Sequence, residues 1–396
     1  MPLSKQKLCA SLLRVLAGVP TVGMLALGVL FVLFSTTVMG RLVGLSATIL
    51  GGLSYCSIGY WNSPWFKTRR KMVLATMLPF GMASYLLPMA LAPDGSGAMD
   101  RHVRHRFLDS RGTFRRYSPW NVIPEVDQVM VGMHVMALGD PYIDFTKARR
   151  MRSLTAPAYG ELEQDPDFRD LGSVMGMAYR ELFRMEFRTG HYYLFLPEDL
   201  RDERLPCLIY LHGMGGNRKS HFWVMSQVSK HIRCAVIAPS FGMGNWDRPG
   251  GGQLAVDVAR EAIDTLPVDA NRIYLLGYSN GAKGVTRAVV AAPELFRGLI
   301  YLSPVTEDEF FSSPEFLSQR SRRRMLFLHG GQDRRISLDV VKSTVAYLKL
   351  LGCDIRANYD LEEDHYLVMS QSNQIIGEIA DFIRADEAAE EPVRMD

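Results

Sequence analysis

The chain has 396 residues, 22% of them charged, and a formal net charge of +3. This length allows one large catalytic domain and a further module. The net charge hides an asymmetry, because residues 1–92 hold eight basic residues and no acidic one, which leaves 37 basic and 42 acidic residues in the remainder. Neither part has the basic face with interleaved aromatic residues that is typical of nucleic-acid-binding proteins, so we expect no nucleic-acid partner.

Residues 1–92 have the composition of a membrane module. Three uncharged, largely apolar stretches, at residues 15–38, 42–60 and 72–92, are each long enough to cross a bilayer core. Two spans, or a cleaved signal peptide in place of the first stretch, are the alternatives. The first stretch is longer than the apolar part of a signal peptide, and two more follow it. The sequence therefore predicts three transmembrane helices, with the lipid bilayer as a partner.

The distribution of basic residues predicts the orientation of this module. Cytoplasmic segments next to membrane spans are rich in Lys and Arg. Three basic residues precede the first span and four lie at residues 67–71, whereas the loop between the first two spans has only Arg41. This pattern predicts a cytoplasmic N-terminus and an extracytoplasmic C-terminal domain, although four arginines at residues 101–111 oppose it.

Residues 93–186 are predicted to be a juxtamembrane and helical connecting region. Their basic stretch, residues 101–118, could lie on anionic lipid head groups or be a solvated segment. At the other end of the chain, residues 387–396 are predicted to form an acidic disordered tail.

Between residues 187 and 386, short apolar runs alternate with helical stretches. Because the runs are nearly continuous in apolar residues, they predict a mostly parallel sheet covered by helices on both faces, which is an α/β fold. The functional site of such a fold lies at the carboxyl ends of the strands. The predicted strands are residues 192–196, 207–211, 234–238, 272–276, 299–302, 325–328 and 355–359, and the main helices are residues 253–265, 281–291, 338–351 and 374–384.

A G-x-S-x-G pentapeptide, Gly277-Tyr278-Ser279-Asn280-Gly281, separates a predicted strand from a predicted helix. This context is typical of the nucleophile elbow, a turn so sharp that glycine is needed on its flanks. The turn strains the serine backbone and exposes its hydroxyl above the sheet, at a helix N-terminus. Ser279 is therefore the candidate nucleophile.

A serine hydroxyl needs a base to remove its proton, and the base needs an acid to hold its tautomer. On this kind of sheet the acid follows the serine and the histidine follows the acid. Asp333 comes after a predicted strand and a glycine turn, and His365 is the only histidine beyond it. The sequence thus predicts a Ser279–Asp333–His365 triad, with the acidic residues at 362–364 as fallback acids.

The negative oxygen of a tetrahedral intermediate needs donors that are already aimed at it. One predicted donor is the backbone N–H of Asn280, directly after the nucleophile. The other is the backbone N–H of Met214, in the glycine-rich segment at residues 212–217, with Gly213 as the second choice.

Two aromatic residues are candidates for substrate binding, Trp246 and Tyr278. Trp246 lies in a glycine-rich loop and could instead pack that loop onto the domain. The segment at residues 307–323 lies where such folds often carry a lid. No metal, flavin or nicotinamide motif is present in the sequence, so we expect no cofactor. The aromatic residues that could line the lid are Phe310, Phe311 and Phe316.

Two segments carry a resemblance to a known family. Residues 208–217, Leu-Ile-Tyr-Leu-His-Gly-Met-Gly-Gly-Asn, and residues 268–282, which contain the pentapeptide, resemble the α/β-hydrolase superfamily in its esterase and polyhydroxyalkanoate-depolymerase-like branch. The resemblance covers roughly residues 187–386. Asn280 stands where many members carry a small or hydrophobic residue, and residues 1–186 resemble no family.

The resemblance implies an α/β-hydrolase fold, the same three triad residues and the same two backbone donors. The expected function is a membrane-anchored serine hydrolase that cleaves carboxylic esters of small molecules, lipids or glycans. A serine peptidase or an acyltransferase could use the same triad, and a non-catalytic membrane protein could use the scaffold for binding. The sequence does not define the oligomeric state.

Overall fold

The computed structural model describes residues 5–60, 64–95, 101–109, 112–186, 189–199, 203–360 and 362–388. The chain forms two compact units. The N-terminal unit comprises Met1–Ala92 and Tyr117–Arg149, and the sheet unit comprises Pro93–Arg116 and Arg150–Asp396.

The helices of the N-terminal unit follow the apolar stretches of the sequence. They are α1 (Lys5–Phe34), α2 (Val38–Tyr60), α3 (Pro64–Ala90), α4 (Pro119–Val122) and α5 (Glu125–Met136), and α6 (Phe145–Leu162) begins in this unit. Helix α2 packs against both α1 and α3. Two segments, Val38–Cys56 and Lys71–Ala90, are long and apolar enough to cross a membrane, whereas the apolar part of α1 that is described, Gly18–Phe34, is shorter. Length and composition therefore support two of the three predicted spans.

Helix α5 is tied to the turn between α1 and α2 by the buried carboxylate of Asp127. This carboxylate accepts hydrogen bonds from the backbone N–H groups of Thr36, at 2.6 Å, and Thr37, at 3.2 Å, and from both threonine hydroxyls. A β-carbon on Gly40 would collide with the carboxylate, so the close approach requires glycine there. The carboxylate thus binds the backbone N–H groups directly before α2, where a negative charge is favourable, and holds α5 beside that helix end.

The sheet unit is built on one eight-stranded sheet of order β1-β2-β4-β3-β5-β6-β7-β8. The pairs β1–β2 and β2–β4 are antiparallel, and every other neighbouring pair is parallel. The seven predicted strands correspond to β2–β8, which confirms a mostly parallel sheet. The strands are β1 (Val103–Phe107), β2 (His191–Phe195), β3 (Leu205–Leu211), β4 (Ala235–Pro239), β5 (Val268–Tyr278), β6 (Gly298–Leu302), β7 (Arg324–Gly330) and β8 (Asp354–Asp360).

Strand β1 lies inside the basic stretch that the sequence analysis interpreted as lipid-bound or solvated. Its side chains alternate, with Val103 and His105 buried, and Arg106 donates to Glu261 on a neighbouring helix. The sheet therefore begins well before residue 187. The alternation was present in the sequence, but the arginines between the buried residues concealed it.

Two of the helices that cover the sheet pack closely together. Helices α11 (Gly251–Thr265) and α12 (Gly281–Ala291) contact each other and β5, and small residues allow this approach, since a β-carbon on Gly252 would press on the backbone of Arg287. On α12 the buried residues include Ala282, Val285 and Val289, spaced as one helix face. The remaining helices are α7 (Pro166–Asp170), α8 (Met175–Leu182), α9 (Lys219–Ser226), α10 (Ser229–Ile232), α13 (Asp308–Phe311), α14 (Pro314–Leu317), α15 (Leu338–Leu350), α16 (Leu367–Ser370) and α17 (Ser372–Ala388).

Two aromatic residues of the segment at residues 307–323, where a lid was expected, are part of the packed core. Phe311 and Phe316 are fully buried and contact each other, with ring centroids 5.1 Å apart, and Phe311 also meets the ring of Tyr301 on β6. The prediction was wrong for these two residues, because the apolar side chains that suggested a pocket lining are instead buried against the sheet.

Candidate active site

Ser279 occupies a strained turn between β5 and α12. Its φ of 53° lies in the left-handed region, which is costly for a residue other than glycine. The turn is held by its backbone, since the N–H of Ser279 donates to Leu302 at 2.9 Å and its carbonyl accepts from Val305 at 3.1 Å. A β-carbon on Gly277 would lie 2.5 Å from the backbone nitrogen of Ala282, and one on Gly281 would collide with the carbonyl of Leu211. Both flanking glycines are therefore required by the geometry.

The three predicted triad residues meet at one place. Nε2 of His365 is 3.0 Å from Oγ of Ser279, and Nδ1 of His365 is 2.6 Å from Oδ2 of Asp333. An ionised carboxylate can only accept, so Nδ1 carries the proton and Nε2 is free to accept the serine hydroxyl proton. All three residues are buried to more than nine-tenths, and they come from the ends of β5, β7 and β8.

Asp333 is kept in its charged form by its hydrogen bonds. Its other oxygen, Oδ1, accepts from the backbone N–H groups of Arg335, at 2.8 Å, and Ile336, at 3.1 Å. Burial alone would raise the pKa of the carboxyl, but the hydrogen bond and charge of His365, with the N–H groups of Ile336 and Arg335, hold it below its ordinary value. The carboxylate can therefore orient the imidazole and stabilise its protonated form.

The loop that carries His365 is fastened to the end of β7. The backbone N–H of Gln332 donates to the carbonyl of Glu363 at 2.8 Å, and a β-carbon on Gly330 would lie 2.5 Å from the same carbonyl. The hydroxyl of Tyr278 donates to the carbonyl of His365 at 2.9 Å. These contacts fix the imidazole relative to both of its partners.

The fallback acids have other partners. Glu363 accepts from the hydroxyl of Ser370 at 2.6 Å and pairs with Arg150 at 3.4 Å, while Asp364 accepts from the backbone N–H of Tyr366 at 2.7 Å. Asp333 is thus the acid that meets Nδ1 of His365.

The predicted oxyanion loop passes directly beside Ser279. A β-carbon on Gly213 would lie 3.2 Å from Cβ of Ser279, so the loop backbone and the serine are in near contact. The backbone N–H of Phe241 donates to Nε2 of His212 at 3.1 Å, so the ring proton is on Nδ1, which donates to the carbonyl of Gly213 at 2.8 Å. Burial lowers the pKa of His212 to about 4, so the ring stays neutral.

The carbonyl of Gly213 and the N–H of Met214 belong to the same peptide bond. Because a trans peptide sets its C=O and N–H on opposite sides, the N–H of Met214 points away from the His212 ring.

The two predicted substrate-binding residues have packing contacts in the structure. Trp246 is fully buried, its indole N–H donates to the carbonyl of His212 at 2.7 Å, and its ring stacks on Phe241. It therefore packs its loop onto the oxyanion segment, and the expectation that it contacts substrate does not fit its burial. Tyr278 is 5% exposed and positions His365, a role that its place in the pentapeptide did not suggest.

No protein-family model and no curated protein sequence matches the chain. Among solved structures, a thermostable esterase is 20% identical, with 48% of this chain and 58% of that chain covered and a TM-score of 0.40. The fluorophosphonate-binding serine hydrolase FphF of Staphylococcus aureus is 15% identical, with 49% and 93% covered and a TM-score of 0.42. Est1E from Butyrivibrio proteoclasticus is 15% identical, with 50% and 94% covered and a TM-score of 0.42.

Similarity at this level carries no argument about chemistry. The fold is recognised from its own features, namely the helix-covered, mostly parallel sheet, the strained serine turn after β5 and the order of serine, aspartate and histidine along the chain. The mixed sheet with its helices matches an α/β-hydrolase fold.

Proposed function

We propose that the protein is a membrane-anchored serine hydrolase that cleaves carboxylic esters through an acyl-enzyme. The observation that carries this proposal is the continuous hydrogen-bonded chain from Asp333 through His365 to Ser279, on a strained turn beside a glycine-rich loop. A non-catalytic protein would be favoured if the serine and histidine side chains were far apart. Oγ of Ser279 and Nε2 of His365 are 3.0 Å apart.

In the proposed reaction, Oγ of Ser279 attacks the ester carbonyl carbon while Nε2 of His365 takes the hydroxyl proton. The electron pair of the carbonyl moves onto its oxygen, and the backbone N–H groups of Met214 and Asn280 stabilise that negative charge. When the pair returns, the bond to the alcohol oxygen breaks and His365 gives the alcohol its proton. Water then attacks the acyl-enzyme by the same two steps, which release the acid and restore Ser279.

The membrane part of the proposal places α1, α2 and α3 across a bilayer, with the sheet unit on the extracytoplasmic side. Large apolar side chains on these helices are exposed, among them Leu33, Phe80 and Leu86, which is unfavourable in water and favourable in lipid. Asp127 follows α3 in the chain, and it contacts Thr36 at the end of α1. This contact fits three spans, because α2 and α3 together would bring the chain back to the side of the bilayer on which α1 ends. The substrates would then be lipid, glycan or small-molecule esters outside the cytoplasm.

Hydrolysis of short 4-nitrophenyl esters by the detergent-solubilised full chain tests the proposal. We expect turnover by the wild type and a loss of about 10⁶-fold in kcat for Ser279→Ala, as in other serine hydrolases that lose the nucleophile. Ser303→Ala is the matched control, since Ser303 is a buried serine directly after the neighbouring strand β6. Equal rates for Ser279→Ala and wild type would overturn the proposal. If Ser279→Ala is inactive, amide and acceptor-alcohol substrates distinguish an esterase from a peptidase or an acyltransferase that uses the same triad.

A further inference from the structure

Arg218 stands directly after the oxyanion loop, at the residue before α9. Its guanidinium lies against Gly215, because a β-carbon on Gly215 would collide with Nη2 of the arginine. Gly215 has a φ of 102° and donates its N–H to Met243 at 2.9 Å, so the loop bends around this side chain. The arginine side chain therefore lies against the loop that carries the predicted oxyanion donor, Met214.

The charge of Arg218 has no carboxylate partner among the residues that the structure describes. Its largest electrostatic interactions are with the phenols of Tyr366, Tyr159 and Tyr278, and Tyr366 is its hydrogen-bond partner. Neighbouring arginines differ in this respect. Arg150 pairs with Glu363 and Asp364, Arg248 pairs with Glu181, and Arg287 pairs with Glu307.

Two of these tyrosines are sequence neighbours of residues in the predicted triad. Tyr278 precedes Ser279 and Tyr366 follows His365 along the chain, and the Tyr278 hydroxyl binds the His365 carbonyl. Arg218 as a whole is only partly exposed. A half-buried positive charge without a counter-charge is unfavourable, and a planar guanidinium matches the two oxygens of a carboxylate or phosphate.

We propose that Arg218 binds an anionic oxygen group, a carboxylate or a phosphate, on the substrate, so that esters carrying such a group are the preferred substrates. This inference rests on the proposed hydrolase function and narrows its substrate class. The anion can belong to the acyl chain or to the alcohol, and the two sources are separated by the choice of substrates.

Two matched substrate pairs test the proposal with the solubilised full chain. On the acyl side, mono-4-nitrophenyl adipate is compared with 4-nitrophenyl hexanoate. On the alcohol side, 1-butyrylglycerol 3-phosphate is compared with 1-butyrylglycerol, with acid release followed in a pH-stat. We expect the wild type to prefer the anionic member of at least one pair by tenfold or more in kcat/KM, mainly through KM. The pair that shows the preference identifies which side of the ester carries the anion.

Variants assign the preference to the residue. In Arg218→Gln the ratio of kcat/KM for the anionic ester to that for the neutral ester should fall to twofold or less. Arg218→Lys, which keeps the charge but loses the planar fork, should retain an intermediate preference. Arg384→Gln is the control, because Arg384 is an exposed arginine paired with Asp381 on α17.

Two outcomes would overturn the inference: no preference in either pair for the wild type, or an undiminished preference in Arg218→Gln. Both leave hydrolysis of the neutral esters intact, so they are distinct from failure of the proposed function, in which none of the four substrates is hydrolysed. If Arg218→Gln does not fold, the wild-type preferences and Arg218→Lys still decide the question.

Discussion

Tyr278 illustrates how a side chain next to the nucleophile can act without contacting substrate. Its hydroxyl donates to the carbonyl of His365, and its ring lies 5.5 Å from the imidazole ring. Burial raises the pKa of this phenol, so it remains a donor throughout the working pH range. Tyr278 is therefore a positioning residue.

Removing the hydroxyl alone should loosen the imidazole without removing any group that reacts. For Tyr278→Phe we expect kcat to fall about fivefold with little change in KM, since the lost hydrogen bond contributes about 1 kcal/mol. Steady-state kinetics on a 4-nitrophenyl ester would measure this. Tyr359→Phe, on the edge strand β8, is the control. A rise in KM at unchanged kcat would instead assign Tyr278 to substrate binding.

At the scale of elements, the elbow depends on the absence of side chains at its two flanks. For Gly281→Ala we expect loss of folding or of activity, because the new β-carbon would meet the carbonyl of Leu211 where neither backbone can move freely. Gly377→Ala on α17 is the control, since nothing lies within 4 Å of its new β-carbon. That variant should be more stable by about 0.5–1 kcal/mol through helix propensity. Thermal unfolding of both variants measures the contrast, and a fully stable and active Gly281→Ala would refute the geometry.

The sequence predicted those elements whose burial is visible in one short window. The strands β2–β7 contain nearly continuous apolar runs, and α12 repeats small apolar residues at helical spacing, so both were predicted. The strand β1 was missed because its buried residues alternate with arginines. The roles of Phe311 and Trp246 were misjudged for another reason. Aromatic residues fill a core as readily as they line a pocket, and only the packed structure distinguishes these cases.

For the site, chain order along the sequence was enough to nominate Ser279, Asp333 and His365, which the structure brings together. The position of Arg218 could not be anticipated, because its importance depends on which acidic residues do not reach it. Such a property belongs to the three-dimensional arrangement of many residues.

At the scale of the whole molecule, buried histidines make the folded chain sensitive to acid. Nδ1 of His105 is 2.8 Å from Nε2 of His191, and both rings are buried. Burial and the neighbouring charges of His191 and Lys219 lower the pKa of His105 well below 6.5, and burial lowers the pKa of His191 to about 3. The unfolded chain therefore binds more protons than the folded chain below pH 6.5. Stability is complete above that pH and is lost as the pH falls.

We expect the melting temperature of the solubilised full chain to fall between pH 7 and pH 5, with each such histidine costing at most about 1.4 kcal/mol per pH unit. In His191→Gln the fall should be smaller, whereas in His231→Gln, at an exposed position, it should match the wild type. Differential scanning fluorimetry at several pH values measures this. A melting temperature that rises towards pH 5 would contradict the assignment of neutral buried rings.

The orientation of the chain in a membrane is tested by reporter fusions after Asp396. With the sheet unit outside the cytoplasm, an alkaline phosphatase fusion should be active in a bacterial host, and a green fluorescent protein fusion should be dark. The basic residues at 67–71 are the reason for this expectation. Fluorescence without phosphatase activity would place the sheet unit in the cytoplasm and exclude extracytoplasmic substrates.

The proposed hydrolysis requires that Ser279 is a nucleophile and that His365 activates it. Treatment of the solubilised full chain with a fluorophosphonate, followed by intact-mass and peptide mass spectrometry, tests it directly. We predict one covalent adduct per chain, mapped to Ser279, and its disappearance in Ser279→Ala and near-disappearance in His365→Ala. An unlabelled wild-type chain, or an adduct that remains on another residue in Ser279→Ala, would contradict the account.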